Sequence, residues 1–158
     1  MTETLPALTP RLEAIIEALQ PASIVRIGEV LAPGAAWRDR ETVIAADEAV
    51  AALGPSVRFD LAFVDSAANI PPQDVPVVLA RLRDLSARHV LVATFADAEA
   101  PWSRRELVGF GYIHLGDCAL NNATVKLFEF DISTYKTTPD WLSPRNWANP
   151  ELWDRYRW

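Results

Sequence analysis

The chain has one cysteine, one methionine, two histidines and six glycines in 158 residues. A single cysteine, Cys118, excludes an internal disulfide, and two histidines far apart, His89 and His114, leave no zinc-ligand spacing. No two glycines are adjacent, and none builds a phosphate-cradling loop ahead of a helix or the glycine fingerprint of nicotinamide dinucleotide sites. Phosphoryl and hydride transfer are therefore not expected, and no Ser-His-Asp or Cys-His pattern supports a nucleophile. Apolar runs fall far short of the roughly 18 to 20 residues a membrane span needs, and Glu3 stands where a secretion signal carries basic residues. Basic residues are also in deficit, 15 against 21 acidic ones, which gives a net charge of -6. Such a field repels phosphate backbones, so broad nucleic-acid binding is not expected. The composition predicts a soluble, cytoplasmic protein.

Half of the residues are hydrophobic, enough for one sizeable core at this length. Thr9-Pro10 reads as a helix start, with Leu12, Ile15, Ile16 and Leu19 on one face and Pro21 as its end. Ser23 to Ile27 reads as a short buried strand that exits through Gly28. Thr42 to Ala45 suits a second strand and Asp47 to Leu53 a short helix. Phe59 to Asp65 is the clearest strand, continuously apolar as a parallel strand covered on both faces should be. Pro71-Pro72 introduces an amphipathic helix reaching Leu85, and His89 to Phe95 is another buried strand. Ser103-x-x-Glu106 is a capping box for a helix containing Leu107 and Val108. Tyr112 to Cys118 and Thr124 to Ile132 form a hairpin around Asn121-Asn122. This alternation predicts an α/β fold: a mostly parallel sheet, helices on both faces, and an antiparallel hairpin at its edge.

The run DLAFVDSAANIPPQDVPVVLARLRDL followed by RHVLVATF resembles the fourth-to-fifth-strand segment of class I S-adenosylmethionine-dependent methyltransferases. LVGFGYIHLGDC and VKLFEFDI resemble the sixth and seventh strands of that Rossmann-like fold. The resemblance covers Phe59 to Ile132 and implies S-adenosylmethionine as the cofactor to consider; nothing else in the sequence requires one. It also implies an acid and alternating glycines after the first strand, where this chain has Arg26-Ile27-Gly28-Glu29-Val30. By that resemblance the cofactor-binding candidates are Gly28, Asp47, Asp65 and Ser66. Asp47, about twenty residues beyond Gly28, stands where such folds place a ribose-binding acid; its plainer role is to cap the helix that follows it. Asp65-Ser66 lies at the carboxyl end of the best strand, where open sheets bind ligands, and its plainer role is to satisfy loop amides. Asn69-Ile70-Pro71-Pro72 is similar to the Asn-Pro-Pro-aromatic motif of amino-group methyltransferases, but Ile70 interrupts it and Gln73 replaces the ring, so it reads as a helix start.

The chain divides into a methyltransferase-like domain, 1–134, and a tail, 135–158, expected to pack on it. That tail resembles a bacterial family known only as a domain of unknown function. Trp141, Trp147, Trp153 and Trp158 lie in it with Tyr135 and Tyr156, interleaved with Lys136, Arg145, Arg155 and Arg157. Rings of this size bury on the order of 150 to 250 Å² each, so ordered packing is expected. Trp153, Trp158, Arg155 and Arg157 are the partner-binding candidates, because Trp, Tyr and Arg dominate interface hot spots. Two functional readings follow. One is a non-catalytic domain that binds a protein partner or a small effector; the other is a small active methyltransferase, in which alignment of nucleophile and sulfonium carbon needs little acid or base help.

Overall fold

The apolar run Phe59–Asp65 forms the middle of the sheet in the computed structural model, which describes residues 4–31 and 37–135. This strand, β3, has parallel neighbours on both sides: β1 (Ile24–Ile27) and β4 (Ala87–Phe95). Its Leu61 to Asp65 are all buried, which is why the run carries no alternation. β2 (Glu41–Ile44) adds in parallel outside β1. β5 (Ile113–Leu120) and β6 (Ala123–Asp131) form the expected hairpin, with Asn121 left-handed in its turn at φ 53°. The last strand inserts between β4 and β5, giving the order β2-β1-β3-β4-β6-β5. The hairpin is thus the antiparallel edge the sequence predicts, with β5 outermost.

Helices cover both faces. α1 (Leu8–Leu19) packs Leu8, Leu12 and Ile16 onto one face, against Ile24, Leu61, Phe63, Leu91, Cys118 and Leu127. α2 (Ala49–Ala52), α3 (Val75–Arg81) and α4 (Arg104–Gly109) cover the other, where Ala49, Val75, Leu79 and Leu107 meet Val25, Val64, Val92 and Phe128. The Ser103 hydroxyl accepts the Glu106 amide at the start of α4, as the capping box requires. A short helix, α5 (Ile132–Tyr135), ends the described chain. Among the described residues no helix is long and apolar enough to cross a membrane.

Three local expectations are corrected. α1 starts one residue before Thr9, with Ala7 as a cap that offers no side chain. The cause is tertiary: Ala7 bridges Ala119 on β5, and the Ala119 amide donates to the Pro6 carbonyl, so the chain enters the helix from the sheet edge. The helix expected over Pro71 to Leu85 begins only at Val75, behind a turn in which the Asp74 amide donates to the Pro71 carbonyl. It then widens into a π-type turn over Leu82–Ser86 that hands the chain straight to β4. Asp47 does not cap α2, because Glu48 holds that position without a side-chain bond. The tail, with Trp141, Trp147, Trp153, Trp158, Arg155 and Arg157, lies outside the described residues, as does its expected packing.

Candidate functional site

Parallel strands end together, so the carboxyl ends of β1, β2, β3 and β4 make one rim. At the end of β1, Gly28 takes φ +61°, and its amide continues the ladder to the Ile44 carbonyl at 2.8 Å. A Cβ on Gly28 would stand 3.3 Å from the Ala46 Cβ and 3.3 Å from the Ala68 Cα. Both the left-handed backbone and this close approach demand glycine, and the side it leaves open is filled by the protein's own alanines. Arg26, basic where the resemblance implies an acid, pairs with Glu41 across the β1–β2 boundary. Its second arm donates to the Gly28 carbonyl at 2.8 Å.

Asp65 ends β3 with its side chain fully buried. One carboxylate oxygen accepts the Leu31 amide at 2.6 Å and the other accepts the Ala67 amide at 2.8 Å. The acid therefore ties the loop after β1 to the loop after β3 and turns inward, away from solvent. Burial pushes its pKa from 3.8 up to about 6, against the two amide donors and the Arg26 charge, which favour the carboxylate. Beside it Val30 and Leu31 pack onto the α1-side core together with buried Trp37.

The other two candidates diverge from this pair. Ser66 lies just past β3, in the turn that follows Asp65. Its amide donates to the Ala93 carbonyl, and its hydroxyl is buried without a partner among the described residues. Asp47 is exposed in the turn after β2 and bonds to no described residue. Gly28 and Asp65 are brought together, joined through the Gly28–Leu31 loop, while Asp47 stands in solvent.

Sequence reasoning missed a polar row on the α3 face of the same rim. Thr94 on β4 lies opposite Lys126 on β6, which lies opposite Asp117 on β5. The Thr94 hydroxyl donates to the Trp102 carbonyl at 3.0 Å. Lys126 Nζ reaches Asp117 at 3.3 Å, and His114 Nε2 meets the same carboxylate at 2.9 Å. Burial raises the Asp117 pKa, but Lys126 and His114 outweigh it and hold the acid below its usual range. A polar Lys126 inside the apolar strand VKLFEF was the one available signal. His89 lies near the amino end of β4, away from this rim, as the sequence implies. Among the described residues no group of three His, Cys, Asp or Glu side chains is placed to hold a metal ion.

Comparison with known proteins adds a family and a set of folds. Residues 6–158 match the family described as "Family of unknown function (DUF6231)". No curated protein matches the sequence. Among solved structures, magnesium protoporphyrin IX methyltransferase from Synechocystis PCC 6803, with bound SAH, is similar at 13% identity and a TM-score of 0.49, covering 77% of this chain and 80% of that one. A 1,6-didemethyltoxoflavin-N1-methyltransferase from Burkholderia thailandensis gives 14% identity and a TM-score of 0.49, over 76% and 75%. An rRNA methylase from Escherichia coli gives 15% and 0.47, over 78% and 63%.

Proposed function

Since the chain belongs to the family of unknown function DUF6231, which brings no activity with it, we propose that it is a non-catalytic methyltransferase-like domain that binds a protein partner or a small effector. One observation carries this reading: Asp65, the acid at the ligand-binding end of the central strand, is spent on the amides of Leu31 and Ala67. The loop after β1 is thereby drawn down onto the core, and the space above Gly28 is taken by Ala46 and Ala68. Arg26 places a cation where the resemblance implies an acid at the end of the first strand. These residues do not fit S-adenosylmethionine well.

The active-enzyme alternative has two observations in its favour. Asp47 presents an exposed carboxylate, and the Ser66 hydroxyl is buried without a described partner. Isothermal titration of the full chain with S-adenosylmethionine and S-adenosylhomocysteine separates the readings. The non-catalytic reading expects no binding tighter than millimolar. A micromolar constant that Asp47→Ala abolishes overturns it. Partner binding through Trp153, Trp158, Arg155 and Arg157 is tested by capture from lysate. Prey lost in the Trp153→Ala/Trp158→Ala double variant supports that surface, and prey retained refutes it.

A further inference from the structure

The amino ends of the parallel strands form a second rim, at the far end of the sheet from Gly28 and Asp65. A cleft of about 250 Å³ lies there between the end of α1, Leu19 to Ala22, and the first residues of β3 and β4, Asp60, Arg88 and His89. Gln20 ends α1 in left-handed geometry at φ 48° and turns the chain into Pro21 and Ala22. The volume is somewhat below the roughly 300 to 1,000 Å³ of sites for drug-sized ligands, which sets the occupant at the size of a small metabolite.

Charges of both signs line this cleft without pairing. Asp60 and Arg88 are neighbours on adjacent strands, between the register pairs Phe59–Ala87 and Leu61–His89. No ion pair joins them, because Asp60 is drawn toward the chain before β1. Its Oδ2 accepts the Ala22 and Ser23 amides at 2.9 Å and 3.3 Å, and its Oδ1 takes no hydrogen bond from a described residue. Arg88 is exposed and has neither a hydrogen bond nor an ion pair to a described residue. His89 differs, since the Asp131 and Glu129 carboxylates stand 3.7 Å and 4.0 Å from its Nδ1 and offset any charge it takes. The end of α1 adds to the acceptor side: over its twelve residues the helix has no basic side chain in its last turn, so the negative end of its dipole is unopposed there.

We propose that this cleft binds a free α-amino acid with an apolar side chain. Its carboxylate meets the Arg88 guanidinium, whose fork suits that group, and its ammonium meets Asp60 Oδ1 beside the end of α1. Its side chain lies on Leu19, Pro21 and Ala22. A dipolar ligand answers both unpaired charges at once, whereas a dicarboxylate is repelled by Asp60 and the helix end, and a diamine by Arg88. This inference rests on the small-effector branch of the proposed function, to which it gives a ligand class and a place.

The test is isothermal titration of the full chain with L-alanine, L-valine, L-leucine and L-phenylalanine. At least one is expected to bind more tightly than millimolar. Its amide, which lacks the carboxylate, and its analogue without the amine are each expected to bind at least about tenfold more weakly, as is the parent to Arg88→Ala, a change at an exposed side chain that spares the core. On titration the Ala22, Ser23 and His89 amide resonances are expected to shift while those of Gly28 and Leu31 stay in place. No binding by any of the four, an analogue that matches its parent, an indifferent Arg88→Ala, or shifts confined to Gly28 and Leu31 overturns the inference. Its failure is separable from that of the proposed function: a chain that ignores all four amino acids and S-adenosylmethionine loses only this inference, whereas a micromolar S-adenosylmethionine constant overturns the proposed function.

Discussion

Replacing Asp65 with asparagine isolates the acid on which the proposed function rests. In the folded chain its pKa is pushed from 3.8 up to about 6 by burial, so the folded state prefers the proton more than the unfolded state does. Below about pH 4 both states hold that proton and the acid costs nothing. As pH rises toward 6, the unfolded chain releases it while the folded chain retains it, and each step weakens folding. Above 6 both are ionised and the full deficit stands. The difference between 3.8 and about 6 corresponds to about 3 kcal/mol. Asparagine removes the titration but accepts only one of the two loop amides well, an offset of about 1–3 kcal/mol that does not vary with pH. Urea unfolding of both proteins at half-unit steps from pH 3 to 7.5 is therefore expected to show the native chain losing about 3 kcal/mol relative to Asp65→Asn across that window. Subtracting the variant cancels every other titrating group. A difference that is flat to within about 0.5 kcal/mol, or that grows in favour of the native chain as pH rises, refutes the inward, desolvated role given to Asp65.

Other positions give independent checks. Gly28→Ala forces a left-handed backbone on a side chain that meets Ala46 and Ala68 at 3.3 Å, so a loss of about 2–3 kcal/mol is expected in chemical denaturation; a change below about 0.5 kcal/mol contradicts it. The buried Tyr112 hydroxyl donates to the Leu79 carbonyl at 3.0 Å, so Tyr112→Phe is expected to cost about 1 kcal/mol and to lower Tm with the fold intact. Lys126→Ala removes the cation that offsets burial at Asp117, and the carboxyl resonance of Asp117 is expected to titrate at higher pH than in the native chain. Because that acid is held below its usual range, its contribution is present above the ordinary aspartate pKa and fades as pH falls. An unmoved midpoint assigns the shift elsewhere.

The elements that were legible in the sequence are those whose pattern reports burial directly. β3 and β4 are continuous apolar runs because both of their faces are covered, and the hairpin announced itself through Asn121 between alternating strands. α4 carried its own capping box. What escaped was decided by partners distant in sequence. α1 starts at Leu8 because Ala7 pairs with Ala119, a contact across the whole described domain that no local signal encodes. Helix-capping propensity points to Asp47, yet the helix starts one residue later, with Glu48 at its cap. The site shows the same division. Asp65 and Gly28 were visible as a strand-end acid and a strand-end glycine, but only the fold shows the acid clasping the Leu31 amide and the glycine pressed by Ala46 and Ala68. Lys126, Asp117 and His114 belong to two strands and meet only once those strands pair.

The bridge between Ala7 and Ala119 sets an order of events during synthesis. α1 leaves the ribosome ahead of the sheet it packs on, and the surface it needs includes Cys118, Val125 and Leu127, about a hundred residues later. Until β5 and β6 have been made, its apolar stripe of Leu8, Leu12 and Ile16 has only part of its seat. A helix made before its seat is thus locked only after that seat is made, and until then the nascent chain carries a sticky amphipathic segment.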